Sequence, residues 1–238
     1  MTEENHKFGA EVPNWQAPPR PGVTRLEGRY ALLEPLSAAH AADIHAANSV
    51  SDSIWDYITP GPFDSEAAYR DWAARASTDA QRYYAIRNNE TGRFEGVASF
   101  MRMKPDTGSI EVGSINFSKP LQRTRAATEA MYLMMRWVFE AGYRRYEWKC
   151  NSRNLPSRRA AERFGFSYEG IFRQAVVEKG RNRDTAWFAC IDAEWPALSD
   201  AYEAWLDPSN FTADGQQVQS LRAFTKPILV ARDPAVAR

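Results

Sequence analysis

Cysteine is nearly missing from this chain, and its two copies, Cys150 and Cys190, stand far apart without CxxC spacing. Neither a disulfide framework nor a thiolate metal site fits that pattern, so both read as small apolar strand residues. Histidine is almost as scarce. His40 and His45 are five apart and match no metal or triad spacing, which leaves them structural. An excess of one charge is also lacking: 30 Lys and Arg balance 30 Asp and Glu. A nucleic-acid or membrane partner would favour a clustered basic surplus, so neither is expected. No apolar run of about 18 residues exists, so no membrane-spanning helix is expected. The start, MTEENHKFGAEVPNW, has no charged-then-apolar secretory pattern, and the sequons at Asn116 and Asn210 therefore read as chance. A cytoplasmic protein is the expectation.

What is present suits one globular enzyme. The 238 residues approach the upper size for one core, and at that length about 70% of the unfolded surface is buried. Hydrophobic residues make up 44% and aromatics 13%, too many for a disordered chain. Residues 1–25 hold Pro13, Pro18, Pro19 and Pro21 and read as an extended arm. Arg29–Glu34 reads as a strand, and Ser37 as the cap of a helix through Asn48. A second helix, capped by Asp64, is expected over Ser65–Ser77. A hairpin follows, Arg82–Arg87 and Phe94–Met103 around Asn88–Gly92, and then a strand at Ser109–Phe117.

After Gln122 the apolar period becomes helical through about Ala141, where Gly142 stops it. Tyr146–Cys150 is a strand and Asn154–Phe164 a short helix ended by Gly165. Strands Phe166–Phe172 and Thr185–Ile191 flank the polar stretch Lys179–Asp184, and Glu194–Leu206 is an amphipathic helix. Residues 207–238 read as a loosely ordered tail, leaving 26–206 as the domain. The order implies an α/β fold, a mixed sheet with helices on both faces.

Two segments carry the chemistry. In Ser114–Thr128 a strand ends, a basic loop follows, and a helix begins at once. A helix N-terminus offers unpaired N–H groups and about half a positive charge, which suits phosphate. Arg123 and Arg125 add fixed charge, while Ala126 and Ala127 let a ligand approach the backbone. A solvated basic loop capped by Thr124 accounts for the same residues. In the second segment, Asn154-Leu-Pro-Ser157 opens a helix that Phe164-Gly-Phe166 closes. Plain capping by Asn154 explains it without catalysis.

Together, strand–QRTRAA–helix and strand–NLPS–helix–FGF resemble the GCN5-related N-acetyltransferases, and more narrowly their RimJ/RimL-like branch. RYALLEPL and FSYEGIFRQ are similar to that branch too, and the resemblance runs from about Leu26 to Trp195. It implies a mostly antiparallel, splayed sheet in which Ser109–Phe117 parts from Tyr146–Cys150. The co-substrate implied is acetyl-CoA, with no metal. Its pantetheine would pair with backbone around Ile115, Asn116 and Phe117, and its pyrophosphate would rest on the amides of Arg123, Thr124, Arg125, Ala126 and Ala127. Gln122 leads that motif, Asn154 would bond the pantetheine, and Arg158 or Arg159 would reach a CoA phosphate.

Two departures stand out. Arg125 and Ala127 replace motif glycines, so Arg125 is expected to bind phosphate by its side chain. Ala161 stands where many members carry a tyrosine acid, and Ser157 matches the branch's proposed substitute. Ser157 would donate to the leaving thiolate, and Glu111 would act as base through water or else be a cross-strand charge partner. Trp55, Tyr57 and Phe63 would border the acceptor or form a satellite core.

The activity implied is acetyl transfer to a primary amine, a protein N-terminus or a small amine, by direct attack. A CoA-binding protein without turnover is the alternative. Nucleic-acid binding, prompted by the arginines at 153–163 and 181–183, conflicts with zero net charge. The acceptor's identity stays open in the sequence, as does assembly, a homodimer included.

Overall fold

The computed structural model describes residues 9–22, 25–78 and 80–236. Eight strands form one sheet: β1 Leu26–Glu27, β2 Ala31–Pro35, β3 Gln81–Asn88, β4 Arg93–Lys104, β5 Ser109–Phe117, β6 Arg145–Asn151, β7 Ser167–Glu178 and β8 Arg181–Ile191. Their order is β1-β2-β3-β4-β5-β6-β8-β7. Every neighbouring pair is antiparallel except β5 with β6. The helices are α1 Ala41–Asn48, α2 Glu66–Ala73, α3 Arg125–Glu140, α4 Leu155–Arg163, α5 Trp195–Leu206 and α6 Leu221–Thr225.

Period-two burial decides which face each strand residue serves. In β6, Tyr146, Trp148 and Cys150 are buried in the main core, so Glu147, Lys149 and Asn151 point to the opposite face. α3 fills that main core with Ala130, Met131, Met134 and Val138, and α4 to α6 add to it. A second cluster lies under α1 and α2, built from Ile44, Trp55, Tyr69, Tyr83 and Val97. Here Trp55, Phe63, Tyr69 and Trp72 meet with ring centroids 5.0–5.6 Å apart. The expected helices on both faces are thus present. None among the described residues is long and apolar enough to cross a membrane.

Four local expectations are corrected. Ser65, not Asp64, caps α2: its Oγ accepts from Ala68 N at 3.2 Å, and the helix ends at Ala73 rather than Ser77. The polar stretch after Phe172 is mostly strand. β7 and β8 run on as a long hairpin whose turn is Lys179-Gly180, both at positive φ (49° and 71°). The described part of the N-terminal arm is packed as well as extended: Pro18 and Pro21 are buried, and Tyr143 Oη donates to Pro19 O at 3.0 Å. Residues 1–8, 23 and 24 of that arm lie outside the described residues. Nor is the C-terminal segment loose. Its α6 buries Leu221, and Asp233 and Val236 are buried beyond it.

Candidate active site

The pairing of β5 with β6 runs from Ser109↔Arg145 to Val112↔Trp148 and stops. Beyond it, Asn116 and Phe117 pair with β4, and Lys149 to Asn151 pair with β8. The cause is a bulge. Between Val97↔Asn116 and Ser99↔Gly113, Ala98 alone stands opposite both Ser114 and Ile115, and Ser114 takes φ +48°. A bulge bends its strand and increases twist, which turns the end of β5 away from β6. Each strand then has an unpaired edge facing a V-shaped gap. The expected splay falls at this point, with Ile115, Asn116 and Phe117 along one wall.

The loop Ser118–Thr124 leads from that wall into α3. Leu121 N and Gln122 N donate to Ser118 O, and Thr124 N to Leu121 O, so the loop coils tightly. Gln122 Nε2 donates to Phe117 O at 2.9 Å, tying the loop to the strand end. Gly96 allows the approach: a Cβ there would lie 2.6 Å from a Leu121 methyl and 2.8 Å from Asn116 O. Thr124 caps α3, its Oγ1 accepting from Ala127 N at 3.0 Å. The amides of Arg125 and Ala126, at the first two helical positions, have no acceptor within the helix.

Where glycine was expected, Arg125 is simply helical; the left-handed residue is Arg123, at φ +65°. Arg123 is exposed, beside the loop amides. The Arg125 side chain, expected at a phosphate, is engaged elsewhere. It pairs with Glu90 and lies over the rings of Tyr30 and Phe211, 4.7 and 4.9 Å from their centroids.

Across the gap, Asn154 caps α4, its Oδ1 accepting from Ser157 N at 3.1 Å. Ser157 Oγ accepts from the Trp148 indole N–H at 3.1 Å, which leaves its own hydrogen to donate. Arg158, also expected at a phosphate, is 6% exposed and committed inward. Its Nε and Nη2 each donate to Asp233 at 2.6 Å, and Nη1 donates to Ser152 O at 2.6 Å. Arg159 remains exposed.

Glu111 stands below the fork of the V, 2% exposed. Arg102 Nη1 lies 2.5 Å from its Oε1 and Lys149 Nζ 2.8 Å from its Oε2. Lys149 is also 2.6 Å from Glu147 Oε2 and 3.8 Å above the centre of the Trp187 ring. Burial pushes the Glu147 carboxyl up, but hydrogen bonds and charges from Lys149 and Arg145 outweigh it, and the net shift is downward. To take a proton, Glu111 would have to break its pairs with Arg102 and Lys149. The charge-partner reading of Glu111 therefore has the geometry on its side.

The opposite face of the sheet holds two pockets. A narrow one of about 10 Å³ is lined by Trp55, Tyr69, Trp72, Tyr83, Ser114 and Asn116. Asn116 is 2% exposed and both atoms of its amide lack a partner. Its backbone thus belongs to the V while its side chain serves the face under α2. A larger cavity of about 580 Å³ lies between Asp56-Tyr57, Asn151–Arg153 and the tip of the β7–β8 hairpin. Sequence reasoning missed this hairpin, Lys149 and Asp233. Period-two spacing of Arg183, Thr185 and Trp187 was the available signal for the first.

A forked sheet with a capped helix N-terminus beside the fork defines an acyl-CoA-handling class of transferase. The family model for the acetyltransferase (GNAT) domain matches residues 31–167, more than half the chain. A crystal structure of a GCN5-related N-acetyltransferase from Brucella melitensis is 46% identical, with TM-score 0.87, covering 90% of this chain and all of that one. A probable GNAT-family acetyltransferase from Chromobacterium violaceum is 38% identical, with TM-score 0.74, covering 79% of this chain and 96% of that one. A putative acetyltransferase from T. thermophilus is 27% identical, with TM-score 0.69, over 76% and 96%. No curated protein matches the chain. The chain belongs to the GNAT acetyltransferase family, and it is an acetyl-CoA-dependent acyltransferase.

Proposed function

We propose that the protein moves the acetyl group of acetyl-CoA to a primary amine by direct attack in a ternary complex, in the manner of the RimJ/RimL-like branch. The observation that carries this reading is the gap between β5 and β6 opening beside the N-terminus of α3. In this reading the free edge at Ile115–Phe117 pairs with the pantetheine, and Asn154 borders it from α4. The free amides of Arg125 and Ala126 meet the pyrophosphate, with Arg123 supplying the side-chain charge; those of Thr124 and Ala127, expected there too, are taken by Leu121 O and Thr124 Oγ1. A backbone N–H near Asn116 or Phe117 holds the developing oxyanion, a contribution of about 3 kcal/mol.

Ser157 donates to the departing thiolate. A thiol with pKa near 8.5 leaves readily, so one hydrogen bond suffices where a full proton donor would not be needed. The amine must arrive neutral. An α-amino group of pKa about 8 is roughly 10% neutral at pH 7, whereas a lysine near 10.4 costs about 4.6 kcal/mol to deprotonate. With Glu111 held by Arg102 and Lys149, a weakly basic amine is the acceptor this site suits. Both cysteines are free thiols buried in the core, which fits a reducing cytoplasm.

Two measurements test the reading. Acetyl-CoA at about 100 times its Kd should add roughly 2.7 kcal/mol of stability. Thiol release should then depend on added amine. A folded sample showing neither the thermal shift nor amine-dependent thiol release contradicts it.

A further inference from the structure

The fork depends on one residue in an unusual conformation. Ser114 sits within β5 at φ +48°, in the left-handed region that a side chain makes costly and that glycine enters freely. A serine has no local reason to stay there, so the support must come from outside its own strand.

Three side chains of β3 and β4 supply it. The Gln81 amide nitrogen has two hydrogens, and it gives one to Ser114 Oγ and one to Ser99 Oγ, each at 2.8 Å. Tyr83 Oη donates to Ser114 Oγ at 3.2 Å. Two bonds arriving at Ser114 Oγ use both of its lone pairs. Ser99 extends the tie, because its own Oγ donates to Gly113 O at 2.9 Å, the carbonyl that precedes Ser114. Gln81 therefore reaches the bulge twice, directly at Ser114 and through Ser99 at the peptide before it.

This network is buried and fixed at its base. Ser99 and Tyr83 are both buried, so water does not compete for their bonds. Gln81 opens β3, and its backbone exchanges bonds with Thr78: Thr78 N donates to Gln81 O at 2.7 Å and Gln81 N to Thr78 O at 3.3 Å. The Tyr83 ring stands edge-on to Trp72, with centroids 5.4 Å apart. Burial also pushes the Tyr83 hydroxyl up in pKa, which keeps it a donor at ordinary pH.

We infer that Gln81 is a positioning residue for acetyl-CoA: by tying Ser114 and Ser99 it keeps the bulge left-handed, and so keeps Ile115–Phe117 turned away from β6. The inference rests on the reading of that edge as the wall that receives the pantetheine. It extends the co-substrate site to β3, with β4 standing between.

Glycine at position 114 gives the decisive test, because it takes φ +48° without a tie. Calorimetric titration with acetyl-CoA is compared for wild type, Gln81→Met, Ser114→Gly and the double variant. Methionine keeps the length of glutamine and removes its donors. Gln81→Met alone should weaken acetyl-CoA affinity about fivefold or more, the population cost of an unsupported left-handed serine. In the Ser114→Gly background the same substitution should change affinity by less than about twofold. Tyr83→Phe removes the other donor to Ser114 with little change in volume; it should weaken binding in the same direction and be silenced by the same glycine. A role in stability alone would lower Tm in Gln81→Met and leave Kd where it was. Affinity within about twofold of wild type in folded Gln81→Met and Tyr83→Phe, or an equal loss with serine and with glycine at 114, overturns the inference. Absence of binding in wild type would fail the transferase reading and the inference with it, whereas unaltered binding in the variants fails the inference alone.

Discussion

Asp233 closes on Arg158 from 75 residues away, its two oxygens taking Nε and Nη2 at 2.6 Å each. The same carboxylate accepts from Ala235 N, and Asp233 N donates to Glu162 Oε1, so the C-terminal segment is pinned to α4 at several points. Arg158 meanwhile holds Ser152 O, and with it the loop that leads to Asn154 and Ser157. Removing one partner of a buried pair leaves an uncompensated charge, at a cost of about 3–5 kcal/mol. Asp233→Ala should therefore lower Tm by roughly 10 °C for a protein of this size. Thermal melts check this; a fall under about 2 °C would show that the pair is dispensable.

Arg123 and Arg125 should separate in function although they are two residues apart. Arg125 is bound to Glu90 and stacked over Tyr30 and Phe211, whereas Arg123 is exposed on the loop. Arg125→Ala should cost about 1–2 kcal/mol of stability through lost cation–π and ion-pair contacts, with acetyl-CoA affinity nearly unchanged. Arg123→Ala should weaken acetyl-CoA binding by about 1 kcal/mol, roughly fivefold, without lowering Tm. Calorimetric titration of both variants decides, and the reverse pattern would return the phosphate to Arg125.

Glu129 of α3 receives three backbone N–H groups from the turn between β1 and β2: Arg29 at 3.0 Å, Tyr30 at 2.6 Å and Ala31 at 2.6 Å. Burial raises its pKa, and those bonds only partly offset the rise. A carboxyl raised in the folded state contributes stability that is complete below its unfolded pKa and fades as pH rises through the folded one. The stability advantage of wild type over Glu129→Gln should thus shrink as pH rises above about 4.5, the ordinary value of the carboxyl. Paired melts across that window test it; an advantage that grows with pH would mean that the bonds outweigh burial. Gly28→Ala should disturb the same turn, since its Cβ would lie 2.4 Å from the Glu129 carboxyl carbon.

These cases show which parts of the protein could be read from its sequence. The Thr124 and Asn154 caps, α3 and the bounds of β5 are local, set by neighbours within four residues, and they stand as read. The bulge that forks the sheet is different. It depends on Ser114 taking a left-handed conformation that no glycine announces. The hairpin extension was hidden because Gln174–Glu178 and Arg181–Asp184 are exposed or half-buried and show no apolar alternation. Arg158 and Arg125 were assigned to phosphate because a sequence displays charge but not the distant carboxylate that claims it.

Glu111→Gln should leave the pH dependence of kcat/KM where it is. The carboxylate lies between Arg102 Nη1 and Lys149 Nζ, both within 2.8 Å, and proton abstraction would have to break those pairs. The rising limb of the profile should instead follow the free amine of the acceptor, moving when the acceptor's pKa is changed. The substitution should lower stability by about 1–3 kcal/mol. A rising limb that shifts by a full unit in the variant, with the acceptor held constant, would make Glu111 the base.

Ser157 separates catalysis from capping. Its Oγ accepts from Trp148 Nε1, its hydroxyl hydrogen has the buried Cys150 sulfur as its partner within the protein, and Asn154 caps the helix without it. If that hydrogen stabilises the thiolate, Ser157→Ala should lower kcat about 10- to 100-fold with acetyl-CoA affinity unchanged, since the bond strengthens only as charge develops. The substitution also orphans the Trp148 indole N–H, on a residue 5% exposed, so stability should fall by about 1–3 kcal/mol. Trp148→Phe supplies the control. In that background the donor is gone, and adding Ser157→Ala should cost little further stability while still lowering turnover. Equal kcat values with and without the hydroxyl, under conditions where the chemical step limits the rate, would reduce Ser157 to a first-turn helix residue that receives an indole.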